Sequence, residues 1–210
     1  MIPDALIEKI RPYYEGQDSG HDWAHIGRVV ATARKLAQLE QADLQIVLPA
    51  AYLHDIVNIP KNHPDRARAS ELAADKALGL LREVHYAEAK LPAIHQAIVE
   101  HSWSKGLKPS SLEAAIVQDA DRLDAVGAIG VLRCASVNAQ MQTSFYDPAD
   151  PLAQHRPLDD KTWMLDHYSV KLYKLADTMN TRAAQALARE RIAFMESFVS
   201  QLMTEVGLRD

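Results

Sequence analysis

The chain has 210 residues, 48% of them hydrophobic and 24% charged, which excludes a disordered polymer and leaves enough apolar mass for a full core. Its one cysteine, Cys134, excludes an intrachain disulfide and fits a reducing, cytoplasmic setting. A net charge of -5 with no long basic run argues against binding nucleic-acid polymers, yet leaves small phosphorylated ligands open.

The opening MIPDALIEKIRP lacks a basic start followed by an apolar stretch, so no secretory signal is expected. The longest strongly apolar run, Ile46 to Leu53, is far shorter than the roughly 20 residues a bilayer span needs. Ala, Leu, Glu, Gln, Lys and Arg dominate, Gly is scarce, and alternating strands are hard to find, so the chain reads as all-α. A short first helix is expected near residues 3–14. A second runs from about Asp22 to Leu39, with Trp23, Ile26, Val29, Val30, Ala33, Leu36 and Ala37 forming one buried stripe. A third covers about Asp43 to Ile56, with Asp43 as N-cap; Pro49 inside it predicts a kink or a later start.

The punctuated stretch NIPKNHPD (58–65) reads as a loop. Further helices are expected at about 65–83 and 91–103. Ser110 and Glu113 then form a capping-box signature that opens a helix over about 111–124. Gly127 and Gly130 permit a turn or a close helix crossing. Residues 144–161 form the longest loop, a place where function or mobility is common. Helices at about 162–177 and 181–206 follow, the last turning Leu187, Ile192, Met195, Phe198, Val199 and Leu202 inward. No composition shift divides the chain, so a single domain over 1–210 is expected.

Nine histidines are present, and their positions matter more than their number. His21 and His25 open the second helix, with Val29 placing His25 on its buried stripe. His54-Asp55 ends the third helix directly after Ala50-Ala51-Tyr52-Leu53. A carboxylate there is costly unless it is paired or binds a metal. Asp121 and Asp124, three residues apart among Ile116, Val117 and Leu123, bring acidic groups near the interior. Taken singly, each fragment fits a helix cap, a satisfied core histidine or a solvated Asp–Arg face. Together, imidazole and carboxylate groups arriving from three core helices are what a divalent metal requires.

The order His25, His54-Asp55, Asp121 resembles the H…HD…D signature of the HD-domain metal-dependent phosphohydrolase superfamily. The segments HDWAHIGRV, AAYLHDIVNIPKNHP, VEHSW, QDADRLDAVGAIG and DHYSVKLYKLADTMNT resemble its small bacterial YedJ/YpgQ-like branch over nearly the whole chain. The resemblance implies an all-α, single-domain HD-type helical bundle. It implies His25 and His54 as imidazole ligands, Asp55 as the paired carboxylate and Asp121 as the distal one, with Asp124 as the alternative. His21 is the weaker ligand candidate. His101 or His95 can extend the set towards two metals, although one ion is favoured.

Nitrogen and oxygen donors favour Mn, Fe, Co, Ni or Zn over calcium, and Mg stands among the candidate ions. Such an ion polarises phosphoryl oxygens and, in zinc enzymes, lowers the pKa of its water from about 16 to about 7. Glu100 and Asp124 are candidates to orient the ligating histidines. Asp55, His101 and Lys61 are the candidate catalytic groups, His101 as proton donor to the leaving oxygen. Arg28, Lys61, Arg66, Arg122, Lys171 and Lys174 are the candidate substrate contacts, each equally readable as a solubilising charge. His155 and Arg156 make a weaker case, and His63 and His85 read as exposed residues.

The branch resembled is associated with hydrolysis of nucleoside or deoxynucleoside triphosphates to release pyrophosphate, a reading that rests on the family. A nucleoside monophosphatase or other small phosphatase is the nearest alternative. A nucleotide-binding regulatory module without turnover, or a di-iron oxygenase, would be of another class. Either a monomer or a homodimer is compatible with the amphipathic last helix.

Overall fold

In the computed structural model, residues 2–18, 20–59, 63–102 and 106–207 are described. Among these the secondary structure is helical, with one isolated bridge between Ser144 and Trp163, as the all-α reading expects. The chain forms two compact units, Met1–Leu123 and Asp124–Asp210.

The first unit starts with α1 (Asp4–Ile10), which tightens into a 3-10 turn at Arg11–Tyr14 where Pro12 removes a backbone donor. Helix α2 (Trp23–Glu40) is capped by Asp22, whose side chain accepts from the His25 amide at 2.8 Å. It buries His25, Ile26, Val29, Val30, Ala33, Leu36 and Ala37, the expected stripe with His25 added, while Trp23 is half-buried. Helix α3 (Leu44–Leu53) is capped by Asp43, as expected, but ends at His54 rather than Ile56. A 3-10 turn at Pro64–Arg68 leads into α4 (Ala69–Glu83), and another at Glu88–Lys90 into α5 (Leu91–Glu100). Helix α6 (Leu112–Leu123) closes the unit. Helix α2 packs on α3 and α6, α5 packs on α3, α4 and α6, and the core lies among them.

Pro49 neither delays nor ends α3; the helix runs through it. Its missing N–H would leave the carbonyl of Gln45 unpaired, and Tyr86 Oη donates to that oxygen at 2.8 Å. The expected capping box shifts by one residue. Ser111 Oγ, not Ser110, accepts from the Ala114 amide at 3.1 Å, and Glu113 accepts from the Asp43 amide instead of reaching back.

The second unit contains α7 (Gly127–Met141), α8 (Met164–Val170), a 3-10 segment at Leu172–Thr178 and α9 (Arg182–Glu205). Helix α7 stands where only a turn or crossing was anticipated, and it packs on α9. Both glycines permit a close approach at the start of this helix. Gly127 has φ +79° with the Arg191 stem over it, and a Cβ at Gly130 would lie 2.4 Å from the Ala125 carbonyl oxygen. The helix expected over 162–177 breaks at Lys171, which has φ -130° and ψ -55°. Helix α9 buries Ala184, Ala188, Ile192, Met195 and Met203; Leu187, Phe198, Val199 and Leu202 are only half-buried.

The long 144–161 connection is tied down by its own charges and by one on α8. Arg156 bonds both oxygens of Asp166, which is 2% exposed, and its Nε lies 3.1 Å from Asp147. Asp150 and Asp159 accept backbone amides within the same loop.

Candidate metal centre

Four elements of the first unit bring ligand-type atoms together. Asp22 caps α2 and so sets His25 in its first turn, facing the core. His54 and Asp55 follow the last turn of α3, His101 follows α5, and Asp121 lies in the last turn of α6. His25 Nε2 lies 3.6 Å from Asp121 Oδ1 and 3.8 Å from Asp55 Oδ2. His54 Nε2 lies 3.4 Å from Asp55 Oδ2 and 3.8 Å from Asp121 Oδ1. His101 Nε2 lies 3.5 Å from Asp55 Oδ1. Two overlapping groups, His25–His54–Asp121 and His54–Asp55–His101, have their ligand atoms within 4.8 Å of one another, close enough to hold an ion.

The helix ends dictate how the imidazoles point. His54 and His101 each occupy the C-cap of their helix. There each ring's Nδ1 faces a carbonyl three residues back, Ala51 O at 2.9 Å and Ile98 O at 2.6 Å. A carbonyl only accepts, so Nδ1 carries the proton and Nε2 presents its lone pair to the cluster. His54 Nε2 is buried and makes no hydrogen bond, an arrangement costly for the protein alone and resolved by a cation. The residues present therefore fit a divalent metal. The carboxylates are the more open side, with Asp55 and Asp121 side chains 20% and 25% exposed.

The charges reinforce each other. Burial lowers the His54 pKa, outweighing the attraction of Asp55, and favours the neutral imidazole that metal ligation needs. Burial alone would raise Asp55, but His54, His101 and His21 together hold its carboxyl well below the usual range. Burial pulls His101 down, yet Asp55 and then Asp121 carry it above an ordinary imidazole. Behind the site, Tyr14 Oη donates to the Tyr52 carbonyl at 2.6 Å, satisfying one of the acceptors left by the end of α3. Burial and then the Asp55 charge push the Tyr14 hydroxyl pKa well up.

The remaining candidates separate clearly. His21 pairs with Asp18 at 3.0 Å, and His95 with Asp75 at 3.1 Å. Asp124, in the second unit, accepts from Arg133 at 2.9 Å. Glu100 does not orient a ligating imidazole as anticipated. Its carboxylate is taken by Gln96 and by the amide and hydroxyl of Ser110, while backbone carbonyls perform the orienting role at His54 and His101.

Arg28 is half-buried one turn after His25. Arg66 Nη1 donates to Ile59 O at 2.6 Å, bracing the chain after Asp55. Burial lowers the Arg122 pKa, while Asp119 and Asp121 oppose that shift. Lys61 lies outside the described residues. Lys171 and Lys174 belong to the second unit, at and after the break that ends α8. Arg156 is engaged by Asp166 of α8 and the His155 amide by Asp150 of its own loop, His63 caps the turn at Pro64, and His85 is exposed. Sequence reasoning missed Gln118 and Tyr14. Gln118 was legible as an amide directly after the apolar run AAIV of α6, whereas nothing local marks Tyr14.

The HD domain family model matches residues 22–126, the stretch that carries all five ligand-type residues. The protein YpgQ of Bacillus subtilis (strain 168), described as uncharacterized, is 32% identical over 204 residues, covering 95% of this chain and 93% of that one. A crystal structure of Bacillus subtilis YpgQ in complex with ADP superposes with a TM-score of 0.75 at 30% identity, covering 97% of this chain and 94% of that one. An HD-superfamily hydrolase from Bacillus thuringiensis gives a TM-score of 0.76 at 32% identity, covering 98% and 97%. By fold, by coverage and by the order of its ligand-type residues, the chain belongs to the HD domain family and is a metal-dependent phosphohydrolase.

Proposed function

We propose that this enzyme hydrolyses nucleoside or deoxynucleoside triphosphates to the monophosphate and pyrophosphate, using one divalent ion held by His25, His54, Asp55 and Asp121. The observation that carries the reading is the convergence of two buried imidazole nitrogens and two part-exposed carboxylates, with His54 Nε2 making no hydrogen bond. Nucleotide as substrate class is supported by the ADP bound to the related YpgQ. The bound ion supplies Lewis acidity and a more acidic water. Buried His25 and His54 close one side of the site to solvent, and Asp55 and Asp121 face the open side where a phosphate chain enters. His101, whose Nε2 lies 3.5 Å from Asp55, is the candidate proton donor to the leaving oxygen once that nitrogen has taken up a proton. Arg28, Lys61, Arg66 and Arg122 lie near the ligand-bearing residues in sequence and would offset substrate charge.

The group His54–Asp55–His101 favours a second ion as the alternative. Both groups draw on His54 Nε2, which has one lone pair and serves one ion, so a single ion is retained. Its identity lies among Mn, Ni, Co, Fe, Zn and Mg. Residues 1–210 act as one phosphohydrolase unit in the cytoplasm, as monomer or homodimer. Among the described residues no helix is long and apolar enough to cross a membrane.

The test is a product assay with each metal in turn against nucleoside tri-, di- and monophosphates, scoring pyrophosphate and orthophosphate separately. Metal-dependent pyrophosphate release that is lost in Asp55→Ala and Asp121→Asn, and retained in Asp124→Asn, is the expected result. Orthophosphate release would assign a phosphatase. No turnover with metal bound would assign a nucleotide-binding module.

A further inference from the structure

Gln118 is 1% exposed on α6, three residues before Asp121. Its Nε2 donates to Glu100 O at 2.7 Å and to Leu107 O at 3.1 Å, so both amide hydrogens go to backbone carbonyls outside its own helix. Glu100 is the last residue of α5, and its carbonyl is one of those that a helix end leaves without an intrahelical partner. The next residue is His101. One side chain on the helix of Asp121 therefore holds the chain end that presents His101 to Asp55. The Glu100 carboxylate fixes the other side of the same connection through Ser110.

We propose that Gln118 is a positioning residue, which sets His101 Nε2 against Asp55 by clamping the Glu100 carbonyl. It touches neither ion nor substrate and acts through His101 alone. Without the clamp, the end of α5 keeps its helix but loses the tether that fixes the His101 backbone. The Ile98 carbonyl and packing then hold the ring on a backbone that is itself less fixed, and a misplacement of about 1 Å costs on the order of a hundredfold in rate. The kinetic part of this inference rests on the phosphohydrolase reading above.

The variant is Gln118→Met, which keeps the volume and removes both donors. Gln118→Asn keeps a donor with one methylene less reach and covers the case in which the Met variant fails to fold. Two readouts decide. The first is a double-mutant cycle with His101→Ala on metal-loaded enzyme. Gln118→Met is expected to lower kcat at least tenfold with KM within about twofold, and to change kcat less than twofold when His101 is already Ala. The second is the histidine ring 15N spectrum of the metal-free protein, with His101 assigned by its absence in His101→Ala. The His101 signals are expected to shift or broaden in the variant while those of His25 hold. Additive losses in the cycle overturn the proposal, and so do unchanged His101 signals. If the parent enzyme turns nothing over, the ring spectrum decides by itself, so failure of the clamp and failure of the phosphohydrolase reading are told apart.

Discussion

Single residues in this protein tend to serve a helix end and a partner at once. Asp43 caps α3 through the Gln45 amide at 2.8 Å, forms an ion pair with Lys90, and has its own amide bound by Glu113. The Lys90 hydrogen bond, together with the Gln45 amide, lowers the Asp43 pKa against a desolvation that acts the other way. The folded pKa therefore lies below the unfolded one. The stabilisation is fully present above the unfolded carboxyl pKa and is lost as pH falls through the folded value. Urea unfolding between pH 2 and 7 should show a shallower acid-side loss in Asp43→Asn, which keeps the cap without the titration. Asp43→Ala should cost about 1 kcal/mol at neutral pH. His54 and His101 show the same economy, since the ring that caps the helix also offers its Nε2 to the centre.

At the level of elements, irregular backbone is compensated by a side chain from another element. Pro49 is the clearest case, because its helix continues only with the Gln45 carbonyl supplied from outside by Tyr86. Tyr86→Phe should lower stability by about 0.5–1 kcal/mol in denaturant titrations. Placed in a Pro49→Ala background, where residue 49 regains its N–H, the same substitution should cost almost nothing. Equal costs in both backgrounds would show that the hydroxyl does not replace the lost helix bond. The 144–161 loop follows the same logic through Arg156, which gathers Asp147 and Asp166. That is why a long irregular stretch here does not imply a mobile one.

For the whole molecule, ligand-type groups on four helices of the first unit make metal binding and stability inseparable. An ion that binds the folded chain alone stabilises it by about 2.7 kcal/mol at a hundredfold excess over Kd. For a chain of this size that corresponds to a rise in Tm of roughly 5–10 °C. Thermal melts with Mn, Co, Ni, Zn or Mg should show the rise in the parent protein and lose it in His54→Ala. A rise of equal size in that variant would place the bound ion elsewhere.

Helix class, the buried stripe of α2 and the Asp43 cap were legible because they depend on residues near each other in the chain. The polar residues His25, His54, Asp55 and Asp121 stood out for a related reason, as costly groups set within apolar runs. Helix α7 escaped notice because its two glycines read as breakers, although they serve the contact with Arg191 and the Ala125 carbonyl. The sequence by itself thus determined the helices of the first unit and nominated the ligand-type residues. Only the tertiary structure decided that Asp121 faces the imidazoles while Asp124 takes Arg133, that backbone carbonyls rather than Glu100 orient the rings, and that Gln118 binds the end of α5. Hydrogen bonds are directional and short, so their partners follow from how helix ends meet in space, which no local pattern of residues encodes.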